Sequence, residues 1–211
     1  MKSLTELYKI GKGPSSSHTM GPQKAAKIYA KRHPDAHLFD VTLYGSLAAT
    51  GKGHMTDTAI IEVLSPIATV NIHWEPNIFL PYHPNGMKFT ADGADEIVYS
   101  VGGGALSEGK AEDMFDTPEV YEMNSLNEIL AWCDQNGRSY WEYVDLCEGD
   151  VVWPYLQEVW ETMQECVERG INHEGVLPGP LNLPRKAPTY YVKATGYKQS
   201  LQTRGLVYAY A

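Results

Sequence analysis

Five consecutive side chains able to hydrogen-bond or carry a proton, Ser15, Ser16, Ser17, His18 and Thr19, stand between Gly11, Gly13 and Pro14 on one side and Gly21 and Pro22 on the other. Pro22 suits a first helical position, and Gln23 to Lys31 continues in a helical pattern, so the polar run lies just before a helix start. Unpaired backbone N–H groups at such a start can hold a carboxylate or a phosphate. A cap needs one hydroxyl; five polar groups bracketed by breakers read as a binding loop.

A second run, Tyr44-Gly45-Ser46-Leu47-Ala48-Ala49-Thr50-Gly51-Lys52-Gly53-His54-Met55-Thr56-Asp57, surrounds one histidine with three glycines. Thr56-Asp57 precedes the apolar stretch Ala59 to Leu64, which places His54 on a loop feeding another helix. Imidazole is the usual proton carrier near neutral pH, although a lone histidine also fits a packing role. Neither run is a phosphate motif: Gly51-Lys52 lacks the Walker spacing and its Ser/Thr, and Gly11-x-Gly13 has no third glycine in place. A third feature, Gly102-Gly103-Gly104, directly follows a strand pattern, where glycine permits positive φ and close approach of a ligand to backbone. A flexible exit loop fits these glycines as well.

The elements that must carry these groups read as α+β. Alternation predicts strands over 37–44, 68–74, 87–91 and 95–101, with Asp92-Gly93-Ala94 as the turn of a hairpin. His73 and His83 fall on a strand and in a Pro-rich loop, with no chemistry attached. Beyond residue 120 the pattern turns helical. Ser125 and Glu128 form a capping box with Gly137 as the stop, and a short helix is expected over 140–146. Leu156, Val159, Trp160, Met163 and Val167 share one face of a helix expected to end at Gly170. Gly175 to Pro188 carries four prolines and reads as a stiff linker, and a further helix-like pattern begins at Thr189.

Composition narrows the function classes. With 26 acidic against 17 basic residues the formal charge is −9, which argues against nucleic acid as a partner. The N-terminal residues lack the apolar core of a signal peptide, and no run of 18 apolar residues predicts a membrane span. Cys133, Cys147 and Cys166 are odd in number and dispersed, without Cys-x-x-Cys, so they read as reduced thiols; no metal ligand is expected in this chain.

Gly13 to Pro22, Tyr44 to Asp57, Asn85-Gly86-Met87, Glu96 to Gly104 and Glu174 to Leu181 closely resemble, in order, the iron–sulfur L-serine dehydratases. The single-chain form of that family has an N-terminal β domain ahead of a catalytic α domain. The resemblance implies a small β-sheet domain with helices over residues 1–150, similar also to the allosteric substrate-binding domain of some phosphoglycerate dehydrogenases. Residues 151–211 would then be a helical linker and the start of the α domain, with the apolar run Gly205 to Ala211 leading into it.

The activity implied is β-elimination from L-serine, giving pyruvate and ammonia, in cytoplasmic amino-acid degradation and gluconeogenesis. His54 matches the base for the Cα proton. Ser15, Ser16, Ser17, His18 and Thr19 match the loop that borders the substrate and holds its carboxylate. Gly102, Gly103 and Gly104 become a third wall of the same site. The family's [4Fe–4S] cluster takes its ligands from the α domain, so this chain is expected to be inactive by itself, and no lysine sits in a pyridoxal-phosphate motif. The resemblance implies L-serine and the α domain as partners, and exposed helix faces point to a homodimer. Two other readings are a stand-alone binding or regulatory module for serine or a small anion, and a separately encoded β subunit.

Overall fold

A computed structural model describes residues 1–110 and 117–196, together with Leu206 and Ala209. By compactness the chain divides into a unit of residues 11–118 and a unit formed by residues 1–10 with 119–211. The expected boundary at residue 150 instead falls inside a helix.

The first unit is built on five strands: β1 (Leu38–Tyr44), β2 (Thr69–Glu75), β3 (Gly86–Ala91), β4 (Ala94–Gly102) and β5 (Ala105–Ser107), in the spatial order β2-β1-β3-β4-β5. All four expected strands are present within a residue or so. β1 and β2 run parallel, and every other pairing is antiparallel. The β3–β4 hairpin turns at Asp92 and Gly93, both at positive φ (48° and 87°), the twist that a two-residue loop needs. Side-chain alternation sends Phe39, Val41 and Leu43 of β1, and Met87, Phe89 and Ala91 of β3, into one buried layer. Asp40, Asn71, His73, Thr90 and Asp95 face the other way, where Asp40 accepts from Asn71 and lies 2.9 Å from His73 Nε2.

Helices cover the apolar face. α2 (Gly21–Arg32) buries Ala25, Ala26 and Tyr29, and α4 (Thr56–Leu64) buries Ala59, Ile60 and Leu64. The Tyr29 hydroxyl crosses the layer to donate to the Ala94 carbonyl at 2.8 Å. A parallel pair requires a crossover, and here it consists of α3 (Gly45–Thr50), a turn over 51–55, and α4. The short α3 and β5 were not visible in the sequence pattern.

The second unit contains α1 (Leu4–Leu7), α5 (Leu126–Asn136), α6 (Tyr140–Ile171) and α7 (Ala187–Thr195). The capping box at Ser125 and Glu128 forms as expected, and Gly137 ends α5 in the left-handed conformation. The two helices expected after residue 140 form one element broken at Glu148, whose φ of −151° is not helical. Glu148 accepts from the Leu4 N–H at 2.9 Å and from the Tyr121 hydroxyl, which ties α1 to the break. The apolar stripe on α6 is only partly covered: Trp160 and Met163 are both 53% exposed. The Pro-rich segment is less irregular than expected, because Leu177 and Leu183 are joined backbone to backbone at 2.8 Å across a Val176–Pro184 bridge. Most of the apolar C-terminal run lies outside the described residues.

Phe89 is 1% exposed at the centre of the first layer, against Tyr29. Phe89→Ala is expected to cost about 3–5 kcal/mol through lost burial and the cavity left behind, measured as the change in urea unfolding free energy of the 11–118 unit.

Candidate active site

Ser15 starts the site. Its backbone is extended, and its side chain accepts from the His18 N–H at 3.1 Å, as an N-cap does. Residues Ser16–Met20 then wind as a π-helix before α2 begins at Gly21, so the polar run is a wide helical turn rather than an open loop. Single π turns inside helices are frequent at functional sites. Gly21 permits the close packing: a Cβ there would collide with the hydroxyl of Ser100, an inward residue of β4. That hydroxyl is fully buried and has no hydrogen-bond partner among the described residues, while the Ser100 backbone exchanges hydrogen bonds with Asn85.

His54 comes from the crossover turn between α3 and α4. Its N–H bonds back to Gly51 at 3.1 Å, and Thr56 N–H closes on the same carbonyl at 2.9 Å. Hydroxyls link this turn to the π turn in both directions. Thr19 Oγ1 donates to the His54 carbonyl at 2.7 Å, and Thr56 Oγ1 donates to the His18 carbonyl at 2.5 Å. The two imidazoles stand with ring centroids 4.8 Å apart, tilted by 38°.

The ring nitrogens differ in role. His54 Nδ1 is 3.0 Å from the Thr50 carbonyl, an acceptor only, so the neutral ring carries its proton on Nδ1 and leaves the Nε2 lone pair available. His18 has a hydroxyl at each nitrogen: Ser17 Oγ 2.9 Å from Nδ1 and Ser46 Oγ 3.2 Å from Nε2. Burial first, and the neighbouring His54 second, hold the His18 pKa below its usual 6.5, against a hydrogen bond with Ser46 that raises it. His54 Nε2 thus stands as an open acceptor beside a second ring whose neutral form burial favours.

Of the residues singled out in the sequence, the structure brings Ser15, Ser17, His18, Thr19 and His54 into one bonded cluster, with Ser16 on the same turn and exposed. Gly102, Gly103 and Gly104 form the β4–β5 turn, all at positive φ, with open space where side chains at Gly102 and Gly103 would stand. Ser46 and Thr56 belong to the cluster although the sequence did not single them out. Ser46 is the second residue of α3, its N–H held by the Pro84 carbonyl at 3.0 Å. Gly45 beside it has φ +50°, and a Cβ there would press on that same carbonyl. Ser-Leu-Ala-Ala-Thr offers no local sign of this, because the role of Ser46 arises only when two distant segments meet.

An iron–sulfur cluster does not fit the described residues. Cys133 is buried on α5, and Cys147 and Cys166 lie on α6 on opposite sides of its break, with Arg169 donating to Cys166 Sγ at 3.2 Å. No group of three His, Cys, Asp or Glu side chains among them could hold a metal ion. No helix of the described residues is long and apolar enough to cross a membrane.

Residues 3–75 match the family model described as serine dehydratase beta chain. L-serine dehydratase 1 of Escherichia coli (strain K12) is 37% identical over 89% of this chain and 53% of its own length. L-serine dehydratase TdcG of the same organism is 36% identical over the same shares. The L-serine dehydratase of Haemophilus influenzae is 34% identical over 90% of this chain and 54% of its own. The chain therefore spans about half the length of the curated relatives it matches. His18, Ser46, His54 and Thr56 all lie inside the family match, and Gly102–Gly104 lie beyond it.

Because the fold lowers the His18 pKa, it favours the neutral ring; that contribution to stability is complete above pH 6.5 and is lost as pH falls through the lowered folded-state value. The urea midpoint of the 11–118 unit is expected to fall between about pH 7 and about pH 5, and His18→Asn to flatten that part of the slope.

Proposed function

We propose that this chain, which carries the beta domain of the serine dehydratases, supplies the substrate-binding and proton-accepting half of an L-serine ammonia-lyase. The observation that carries this reading is the free Nε2 of His54, fixed by Nδ1 on the Thr50 carbonyl and set 4.8 Å, ring to ring, from His18. Removal of the weakly acidic Cα proton needs a neutral base, and His54 Nε2 takes that role. The electron pair left on Cα forms the Cα–Cβ double bond as hydroxide departs from Cβ. The aminoacrylate so formed tautomerises to the imine, which water hydrolyses to pyruvate and ammonia.

The hydroxyls of Ser15, Ser16 and Ser17, with His18, border the substrate on the π turn, buried Thr19 stands behind them, and the substrate carboxylate is assigned to that turn and the α2 start. Gly102, Gly103 and Gly104 are proposed as a wall of the same cleft. Assistance to the departing hydroxide is assigned to the half that the relatives carry beyond this match, where the family resemblance puts a [4Fe–4S] cluster. Residues 151–211 serve in this reading as the connection to that half. The complete enzyme is assigned to the cytoplasm, to amino-acid degradation and gluconeogenesis, and to a homodimer. The containment of the histidine pair within the 11–118 unit also supports a second reading, in which the chain by itself binds serine without converting it.

In the enzyme completed by its other half, His54→Asn is expected to lower kcat by at least about a hundredfold, the low end for loss of a general base. The cluster spectrum should stay as in the parent. Near-normal turnover in a folded, cluster-loaded variant would remove His54 from the mechanism. The 211-residue chain purified alone under anaerobic conditions with iron and sulfide is expected to stay colourless and to make no pyruvate from L-serine. A brown absorption with stoichiometric iron would overturn that half of the assignment.

A further inference from the structure

The backbone carbonyls of both histidines stand where i→i+4 helical pairing is interrupted. The residue four places after His18 is Pro22, which has no N–H to give. The residue four places after His54 is Thr58, whose N–H is taken at 2.8 Å by the Asp57 carboxylate. In each case a hydroxyl donor arrives from the other segment. Thr56, two residues after His54, donates to the His18 carbonyl, and Thr19, next to His18, donates to the His54 carbonyl. The arrangement is reciprocal, and neither threonine is near solvent: Thr19 is 1% exposed and Thr56 is fully buried. Thr19 Oγ1 also accepts from the Ser15 N–H at 3.3 Å, which orients the hydroxyl that reaches across.

We propose that Thr19 and Thr56 are positioning residues for the elimination, a two-way clasp that sets the backbones of His18 and His54 at a fixed separation and so sets the distance between their rings. The proposal rests on the reading of His54 as the base. A side chain that only filled the space would not need its hydroxyl. A clasp needs it, since a buried carbonyl with no donor must move toward one. Neither threonine touches the substrate in this scheme, and each acts through the histidine whose carbonyl it holds.

The test uses the whole 211-residue chain and reads the imidazoles by NMR, without turnover. In the parent chain, His54→Asn should raise the His18 pKa, because His54 is one of the groups that lowers it. In Thr19→Val and Thr56→Val, which keep the shape and remove the hydroxyl, the fold should persist while the effect of His54→Asn on His18 is largely lost. Thr19→Ser and Thr56→Ser should restore it. Valine variants that fold and keep the parental response would overturn the proposal. So would serine variants that fail to restore it, or loss of the fold in both valine variants, since each makes the threonines structural only. Normal turnover in His54→Asn would count against His54 as the base and leave this titration result untouched, so the two readings fail separately.

Discussion

A parallel pair of strands cannot be closed by a short turn, and this constraint on β1 and β2 organises the first unit. The chain leaving Tyr44 must travel over the sheet and return to start β2 at Thr69 beside Leu38. It does so through α3 and α4, and the bend between them has to stand at the end of the sheet where β1 finishes. His54 lies on that bend. The π turn before α2 arrives at the same place, because α2 packs on the same apolar face as α4. Ligand sites in sheets with parallel strands gather at such carboxyl ends, and the two histidines meet there without any local sequence signal that joins them.

Backbone polar groups then fix the details. A helix start, a π turn and a left-handed residue at Met55 all leave donors or acceptors that regular structure would satisfy. Short side chains answer them in this cluster: Ser15 caps the turn, and Thr19 and Thr56 cross between segments. The same economy fixes the tautomer of His54 through the Thr50 carbonyl and gives each nitrogen of His18 a hydroxyl partner. Burial partly desolvates His18.

The strands and the β3–β4 hairpin were legible because their determinants are local: alternation in Phe39, Val41 and Leu43, and a two-residue turn that tolerates positive φ at Asp92 and Gly93. The His54 loop and the helix after Thr56 were legible for the same reason. α3 was hidden because its six residues begin at Gly45 and stop before Gly51, which reads as a glycine-rich loop. Gly45 is there for the approach of Pro84, a contact forty residues away that no window can see. Ser46 and Thr56 were missed at the site on similar grounds, since a hydroxyl declares its partner only in three dimensions. On α6 the stripe that includes Trp160 and Met163 was legible as one apolar face, yet both residues remain half-exposed. Together with Val167, Ile171 and Tyr191 they line a groove between α6 and α7. Periodicity reports an apolar face without saying how much of it is covered.

The π turn has one further consequence, for the length of the serine run. Ser15, Ser16 and Ser17 look interchangeable by composition, and only one of them caps. A π turn closes i→i+5, so each residue advances less than the roughly 100° of an α-helix, yet removing Ser16 or Ser17 would still swing His18 well away from Ser46. Insertion would do the same in the opposite sense. The serines are therefore a spacer as well as a set of hydroxyls: their number sets where His18 stands relative to Ser46. A substitution and a deletion in this stretch are different kinds of event, one altering what the turn offers and the other altering where its histidine points.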